Sequence, residues 1–311
     1  MELLRPKDIF KAPPALTFFG GEYFAKFLMY ILRFRKLNKI YEKIATRTGI
    51  DFIDEVIHVM RFTIEFDENQ LKKIVTSGPL IIVANHPFGG LDGLLLIKYL
   101  SKVRPDVKVI GNFLLQKIEP VSDYFISDNP FERQSEESGF GALKAALVHL
   151  KNGGVLCLFP AGDISTYGTF ETAADHVWQF PVVKFIKKAK VPVVPILFQG
   201  TNSRLFHLMA KIHPALRHVR LPSELLSKRH KNIKIRIGSP IPVEEQDKFE
   251  DVYQFGRFLR AKTMSMETNI EVRRFFNYHL KPHPKPQPVI APVPQEKILK
   301  DFTEEMRIKK L

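Results

Sequence analysis

The amino-acid sequence predicts an α/β fold in which a mixed, largely parallel sheet is flanked by helices. Short runs rich in β-branched residues alternate with helical patterns along the middle of the chain, and this alternation is typical of α/β layered domains. The chain has 311 residues, of which 45% are hydrophobic, so it can bury a substantial core. In such sheets the loops beyond the carboxyl ends of the strands line the functional site.

The strand-like and helix-like segments follow one another in a regular order. The predicted strands end at Ala84, Gly111, Phe159, Phe198 and Gly238. The helical patterns between and after them cover Leu91–Lys102, Phe140–Lys151, Val177–Lys190 and Leu205–His213. Because parallel strands end at the same edge of a sheet, we expect His86, after the first strand, to share a rim with Gly162 and Asp163, after the third.

Both ends of the chain differ from this middle part. We assign residues 1–70 to an N-terminal helical region, residues 71–280 to the α/β domain and residues 281–311 to a linker with a short C-terminal helix. The linker contains six prolines among the fourteen residues from Lys281 to Pro294, a composition typical of an extended spacer.

The N-terminal region contains an aromatic-rich stretch from Tyr23 to Ile44 that is interrupted by basic residues. It is interpreted either as a helix lying on a membrane surface or as an ordinary helix packed on the domain. No run reaches 18 consecutive apolar residues, so no transmembrane helix is predicted. The first residues lack the apolar core of a secretory signal, and none is expected.

The charge and cysteine content narrow the possible partners and compartment. Lysine and arginine exceed aspartate and glutamate by 47 to 33, a net charge of +14, so an anionic partner is expected. Nucleic acid and an anionic bilayer both fit this requirement. Cys157, the one cysteine, cannot form an internal disulfide and is predicted to be a core residue of a protein from a reducing compartment.

The segment His-Pro-Phe-Gly-Gly-Leu-Asp, residues 86 to 92, follows the first predicted strand and carries two groups suited to proton transfer. A histidine can accept a proton at neutral pH, and a neighbouring carboxylate stabilises the imidazolium. Gly89 and Gly90 permit a tight turn that brings Asp92 back toward His86. The alternative is that His86 is a polar loop residue and Asp92 simply caps the following helix.

A second corner, in Leu-Cys-Leu-Phe-Pro-Ala-Gly-Asp-Ile-Ser, residues 156 to 165, repeats this construction. With the Val-Pro-Val-Val-Pro block at residues 191–195, it completes three ordered blocks between Leu71 and Pro242. In these blocks the chain resembles the PlsC-like glycerolipid acyltransferases. It is most similar to the bacterial, hemolysin-like branch that acylates lyso forms of phosphorus-free aminolipids such as ornithine and glycine lipids.

The chain departs from the family pattern at two points. Five residues instead of four separate His86 from Asp92, and the Gly89–Gly90 pair can absorb the extra one. Ala161 and Ile164 stand where the family usually has an acceptor-binding Glu and a phosphate-binding Arg. An isoleucine cannot pair with a phosphate, so a phosphorus-free acceptor is expected.

The resemblance implies transfer of an acyl group from acyl-carrier protein or acyl-coenzyme A to a lysolipid hydroxyl, without a covalent enzyme intermediate. His86 would remove the hydroxyl proton, Asp92 would orient His86, and amides near Gly89–Gly90 or Gly162 would stabilise the oxyanion. It implies no permanently bound cofactor and no metal. The expected substrate-binding residues are Asn85, Gly89, Gly90, Arg133, Phe159, Pro160, Gly162, Asp163 and Ser165.

Two of these residues have specific expected contacts. Asp163 would replace part of the missing Glu's contact with the acceptor. Arg133 lies in the family's second block, where an Arg often seats the acceptor, and an ordinary solvated arginine is an equally open interpretation.

The resemblance also implies partners and a location. The expected partners are an acyl-carrier protein, the lysolipid and an anionic membrane surface, with no nucleic acid. The expected location is the cytoplasmic side of the bacterial inner membrane, with peripheral or monotopic attachment. Some relatives carry a second, N-acyltransferase domain after a proline-rich joint, so this chain is expected to be a shortened or split form.

Three alternative functions remain open at this stage. One is a thioesterase or lipid hydrolase, in which water replaces the acceptor at the same His-Asp pair. The second is an acyltransferase for 1-acylglycerol phosphate. The third is a basic module that binds nucleic acid or lipid without catalysis, although no helix-turn-helix or zinc-finger pattern is present in the sequence. Nor does the sequence contain a Gly-x-Ser-x-Gly elbow or a P-loop.

Overall fold

A computed structural model of the protein describes residues 33–112, 115, 118–128, 136–162, 164–167, 173–175, 177–212, 214–227 and 232–266. Within them the helices are α1 (Phe34–Ile44), α2 (Gly49–Met60), α3 (Gly90–Leu100), α4 (Glu136–Lys151), α5 (Phe180–Ala189), α6 (Arg204–Ile212), α7 (Pro214–Ser227), α8 (Val243–Gln246) and α9 (Val252–Met264). The strands are β1 (Thr63–Phe66), β2 (Leu80–Ala84), β3 (Val107–Asn112), β4 (Phe125–Asp128), β5 (Val155–Leu158), β6 (Thr166–Tyr167), β7 (Ala173–Ala174), β8 (Val193–Gln199) and β9 (Asn232–Ile237).

A seven-stranded sheet runs through the described part of the chain in the order β1-β9-β8-β2-β5-β3-β4. The five strands from β8 to β4 are mutually parallel, whereas β9 is antiparallel to β8 and β1 is parallel to β9. The predicted α/β fold with a mixed, largely parallel sheet flanked by helices is therefore confirmed. β6 and β7 form a separate small antiparallel pair.

The central position of β2 in the sheet explains why its sequence is apolar at every position. All five of its residues are buried. Ile82 packs on one side of the sheet with α2 and α3, while Ile81 and Val83 pack on the other side with α5 and α9. Successive side chains of a strand point to opposite faces, so a strand covered on both faces needs a continuous hydrophobic run.

Cys157 lies inside β5, as its apolar surroundings predicted. Its neighbours across the ladder are Ile82 of β2 and Val109 of β3. The thiol is fully buried, and this burial raises its pKa. A thiol in this environment stays protonated and acts as a small apolar core residue.

All five predicted strands and all four predicted helical patterns have counterparts in the structure, but the sequence did not reveal every element. It missed the two-residue strands β6 and β7 and the four-residue strands β1 and β4, which are too short for a clear alternation. It also missed α7, which carries an internal proline, Pro222. Helix α5 begins at Phe180 rather than Val177, with Pro181 in its first turn.

The N-terminal region is partly described, from residue 33 onward. The second half of the Tyr23–Ile44 stretch forms α1, whose residues Asn38, Tyr41 and Ile44 are buried against the rest of the fold. This half therefore packs on the domain, and its contact with a membrane surface stays a prediction. Strand β1 falls within residues 1–70 yet joins the sheet beside β9. The segment 281–311, with its predicted linker and C-terminal helix, lies outside the described residues.

Among the described residues, every helix is too short or too polar to cross a bilayer.

A buried arginine fixes the amino-terminal ends of three neighbouring strands. Arg104 donates hydrogen bonds to the carbonyls of Val75, Gly78 and Gly153, at 3.1, 2.8 and 2.6 Å, in the loops before β2 and β5. It also contacts both carboxylate oxygens of Asp106 at 2.9 and 2.7 Å, just before β3. The hydrogen bond from Arg104 lowers the pKa of Asp106. One guanidinium thus satisfies several backbone acceptors that the sheet leaves unpaired.

Replacing Arg104 with Met, which keeps the length of the side chain, should lower the free energy of unfolding by about 3 kcal/mol, because the buried carbonyls and Asp106 lose their donor. Urea denaturation followed by circular dichroism measures this change. Lys234→Met removes a charge from an exposed ion pair with Glu65 and should cost less than about 1 kcal/mol. Equal losses in the two variants would contradict a special role for Arg104.

Candidate active site

His86 and Asp92 lie next to each other where β2 ends and α3 begins. The Nδ1 atom of His86 is 3.1 Å from Oδ2 of Asp92. The Asp92 side chain is fully buried, whereas 17% of the His86 side chain remains exposed. A shielded carboxylate beside a partly accessible imidazole is the arrangement required of an oriented general base.

The turn between the two residues depends on Gly89, whose φ of +69° is rarely adopted by other residues. A β-carbon there would also lie 3.3 Å from the side chain of Ile164. The amide of Asp92 donates to the carbonyl of Gly89 at 2.9 Å, and the amide of Phe88 donates to Oδ2 of Asp92 at 2.8 Å. Helix α3 begins after Gly89 without a side-chain cap. Asp92 instead accepts the amide of Phe88 in the turn before the helix and approaches His86, so its interpretation as a simple helix cap is not supported.

The orientation of the imidazole ring is set by stacking rather than by a complete hydrogen bond. The ring lies on the ring of Phe159, with centroids 4.1 Å apart and planes inclined by 29°. Among the described residues, Nδ1 of His86 has no hydrogen bond of full geometry, so its contact with Asp92 is a close electrostatic one. Such contacts commonly tighten when substrate binds.

The second corner reaches the first through Phe159 and Ser165. Phe159 follows β5 directly, and Pro160 accepts a hydrogen bond from the amide of Gln179 at 2.8 Å. Gly162 has a φ of +68° and lies against the Gln179 side chain. The amide of Ser165 donates to the carbonyl of His86 at 3.0 Å. The described part of this corner therefore lies beside His86, at the shared edge expected for parallel strands, whereas Asp163 lies outside the described residues.

The two positions that depart from the family pattern are both buried and apolar. Ala161 and Ile164 are each almost inaccessible to solvent. Ile164 packs against Gly89, where the side chain of Leu221 from α7 also approaches. Neither side chain has a charge or a hydrogen-bonding group, so these two positions offer no donor to a phosphate.

Several predicted binding residues have other contacts or are not described. Asn85 is buried and bonds reciprocally with the backbone of Phe198: its Nδ2 donates to the carbonyl at 2.9 Å and its Oδ1 accepts from the amide at 2.8 Å. These bonds tie the ends of β2 and β8 together. Gly90 begins α3 and packs against Leu115. Arg133 and Asp163 lie outside the described residues, so their expected roles stay predictions.

Sequence reasoning missed two buried residues that hold these corners. Asp175 accepts hydrogen bonds from the amide of His86 at 3.3 Å and from Oγ of Ser165 at 2.7 Å. Asn202, after β8, donates to the carbonyl of Pro87 at 2.8 Å. Asp175 belongs to no periodic pattern or motif, so only the fold brings it to the site. Asn202 lies in the stretch that continues the Val-Pro-Val-Val-Pro block to residue 203, but sequence reasoning assigned it no role.

Comparison with known proteins gives consistent matches over most of the chain. A family model described as acyltransferase matches residues 10–272, which include both corners. A lyso-glycine lipid O-acyltransferase of Phocaeicola vulgatus is 27% identical over 245 residues, covering 76% of this chain and 85% of the relative. A lyso-glycine lipid O-acyltransferase of Bacteroides thetaiotaomicron is 24% identical over 257 residues, covering 80% of this chain and 92% of the relative.

Replacing Asn85 with Ala should lower the free energy of unfolding by about 2 kcal/mol or more, because the buried amide and carbonyl of Phe198 lose their partners. Chemical denaturation measures the effect. Asn69, an exposed asparagine bonded to Asp67, provides the control, since Asn69→Ala should change stability by less than about 1 kcal/mol. An Asn85→Ala protein as stable as the wild type would show that these bonds do not hold β2 to β8.

Proposed function

The chain belongs to the acyltransferase family and is an enzyme of that type, and we propose that it transfers a fatty acyl group from an acyl thioester to the hydroxyl of a phosphorus-free lyso-aminolipid. The observation that carries the proposal is the contact of 3.1 Å between His86 and buried Asp92 within the region that the family model matches. The names of both relatives support a lyso-glycine lipid as the first acceptor to test.

The proposed reaction is a direct transfer at the edge of the imidazole away from Asp92. With Nδ1 facing the carboxylate, Nε2 of His86 removes the proton from the acceptor hydroxyl as its oxygen bonds to the thioester carbonyl carbon. The carbon–sulfur bond then breaks, and the thiolate takes the proton back from the imidazolium. Asp92 stabilises the imidazolium while the proton resides there.

The negative charge on the carbonyl oxygen needs nearby hydrogen-bond donors. The turn at Gly89–Gly90 opens the N-terminus of α3 beside His86, where backbone amides and the helix dipole favour an anion. The corner at Gly162 follows β5, the strand next to β2. Amides from one of these two turns supply the oxyanion contact in this scheme.

The acceptor class follows from the lining of the site. A phosphate dianion requires charged or hydrogen-bonding donors around it, and burying one against hydrocarbon is costly. At the positions where the resemblance to the glycerolipid acyltransferases implies a Glu and an Arg, this chain has Ala161 and Ile164, apolar residues that are almost fully buried. This lining favours an acceptor without phosphorus. The net charge of +14 favours approach of an acidic donor, either acyl-carrier protein or acyl-coenzyme A.

Purified protein supplied with labelled acyl thioester should label lyso-glycine or lyso-ornithine lipid in preference to lysophosphatidic acid. His86→Ala should lower the rate by roughly a hundredfold or more, because the proton acceptor is lost. Asp92→Asn should lower kcat with little change in KM, since it alters the base and not the binding surfaces. The exposed histidine of α2, His58, gives the matched control, and His58→Ala should retain full activity.

Three results would overturn parts of this proposal. Preference for lysophosphatidic acid would contradict the apolar acceptor site. Release of free fatty acid at a rate independent of lysolipid would instead identify a thioesterase or hydrolase. Full activity in His86→Ala would remove the proposed base altogether.

We further propose that the protein attaches peripherally to an anionic membrane, on the cytoplasmic side of a bacterial inner membrane. The outer face of α1 exposes four basic side chains and one acidic side chain: Arg35, Lys36, Lys39, Lys43 and Glu42. Its inner face packs on the fold, so α1 offers charge to a bilayer and not an apolar face. Each cation near an anionic surface contributes about 1 kcal/mol.

Helix α6, which is connected to α1 through α7, carries two exposed leucines. Leu205 and Leu208 of α6 are 47% and 55% exposed. Helix α7 contacts both α6 and α1, and its Leu221 approaches Gly89 in the site. A surface made of α1, α6 and α7 would therefore bring lysolipid from the bilayer close to His86.

Changing Lys36, Lys39 and Lys43 together to Gln should weaken binding to phosphatidylserine-containing vesicles at least about tenfold, since three cations lose their attraction to the anionic surface. Vesicle sedimentation at low and high salt measures the binding. In the control variant, three exposed lysines on the opposite face of the sheet are changed to Gln, which removes the same amount of charge. They are Lys188, Lys190 and Lys248. Equal losses would mean that net charge, and not this surface, governs binding.

A further inference from the structure

A buried carboxylate outside the proposed reaction scheme connects three segments of the site. Oδ1 of Asp175 accepts from the amide of His86 at 3.3 Å and from Oγ of Ser165 at 2.7 Å. Oδ2 accepts from Nε1 of Trp178 at 2.9 Å. The main-chain carbonyl of Asp175 accepts from Nη2 of Arg260 in α9 at 2.6 Å.

These bonds hold the peptide of His86 on both sides. Its N–H donates to Asp175, and its carbonyl accepts from the amide of Ser165 at 3.0 Å. Because Ser165 is itself bonded to Asp175 through its hydroxyl, the three residues form a closed cycle. Asp92 and Phe159 contact the imidazole ring, whereas this cycle fixes the backbone from which the ring projects.

The chemistry of the cycle suits an ionised carboxylate. Three N–H or O–H groups surround two oxygens that, when ionised, only accept hydrogen bonds. Burial is the largest influence and raises the pKa of Asp175 overall, while the hydrogen bonds from Ser165, Trp178 and the amide of His86 and the charge of Arg260 offset part of this rise. An isosteric amide would place an NH₂ group where one of these donors now points, and so would disturb the cycle without removing volume.

We propose that Asp175 is a positioning residue for the acyl transfer: through the backbone of His86 and through Ser165, it aligns the imidazole with Asp92 and with the acceptor hydroxyl. This inference rests on the proposed function. It assigns Asp175 no contact with substrate. A small misalignment of a reacting group can lower a rate by roughly a hundredfold without changing affinity.

The first test is the Asp175→Asn variant in the acyl-transfer assay. We expect kcat to fall by roughly tenfold to a hundredfold while KM for donor and acceptor stays within about twofold. Trp178→Phe, which removes only the third donor to Asp175, should have a much smaller effect because the bonds to His86 and Ser165 remain. A wild-type kcat in Asp175→Asn, or a loss confined to KM, would overturn the proposal.

A double-mutant cycle distinguishes positioning from a general loss of structure. If Asp175 acts through the alignment of His86 with Asp92, the variant Asp92→Asn/Asp175→Asn should be about as active as the worse of the two single variants. Multiplication of the two losses would show that Asp175 acts independently. Should Asp175→Asn fail to fold, Ser165→Ala breaks the same cycle with a smaller change and should show the same dependence on Asp92.

A second readout does not require activity. The His86 ring protons lie over the face of Phe159, so its ring current shifts their NMR signals upfield. This upfield shift should shrink in Asp175→Asn and persist in Trp178→Phe. The His86 signal is identified as the one that is missing from the spectrum of His86→Ala. If the wild type transfers no acyl group but the shift still shrinks, the proposed function fails and the positioning role stands. An unchanged shift would refute the positioning role.

Discussion

The parallel pairing of β2 with β5 on one side and β8 on the other is the constraint on which the site depends. Parallel strands share a direction, so the segments that follow them emerge at one edge. Three such segments contribute His86, Phe159 and Asn202. These residues are far apart in the chain, and the pairing of the strands brings them to one edge of the sheet. The continuous apolar sequence of β2 makes the pairing possible, because helices cover both of its faces.

Buried polar groups at this edge bond mainly to backbone atoms of neighbouring segments. Asn85 joins β2 to the end of β8, Asn202 holds the carbonyl of Pro87, and Asp175 holds the amide of His86. Each bond satisfies a polar group that would otherwise be costly to bury. The result is a rigid main chain around a histidine whose side chain keeps some access to solvent, as a group that must meet substrate requires.

The lining of the site and the outer surface favour the same kind of substrate. Ala161 and Ile164 place apolar, almost fully buried side chains at the second corner. The basic outer face of α1 lies on the side of the sheet that also carries α3, which holds Asp92. A lipid acceptor drawn from an anionic surface would meet both features, which connects the proposed acceptor to the proposed attachment.

The sequence by itself determined the α/β class, the main strands and helices, and the two corners that carry His86, Asp92, Phe159 and Ser165. These features can be predicted because apolar periodicity, prolines and glycines determine the local conformation of the segments that contain them. Only the tertiary structure revealed the short strands, the packing of α1, the backbone contacts of Asn85 and the position of Asp175 beside His86. Asp175 bonds to a residue 89 positions away, and a hydrogen bond between such distant residues leaves no pattern in either segment. Such contacts are decided when the sheet brings the segments together.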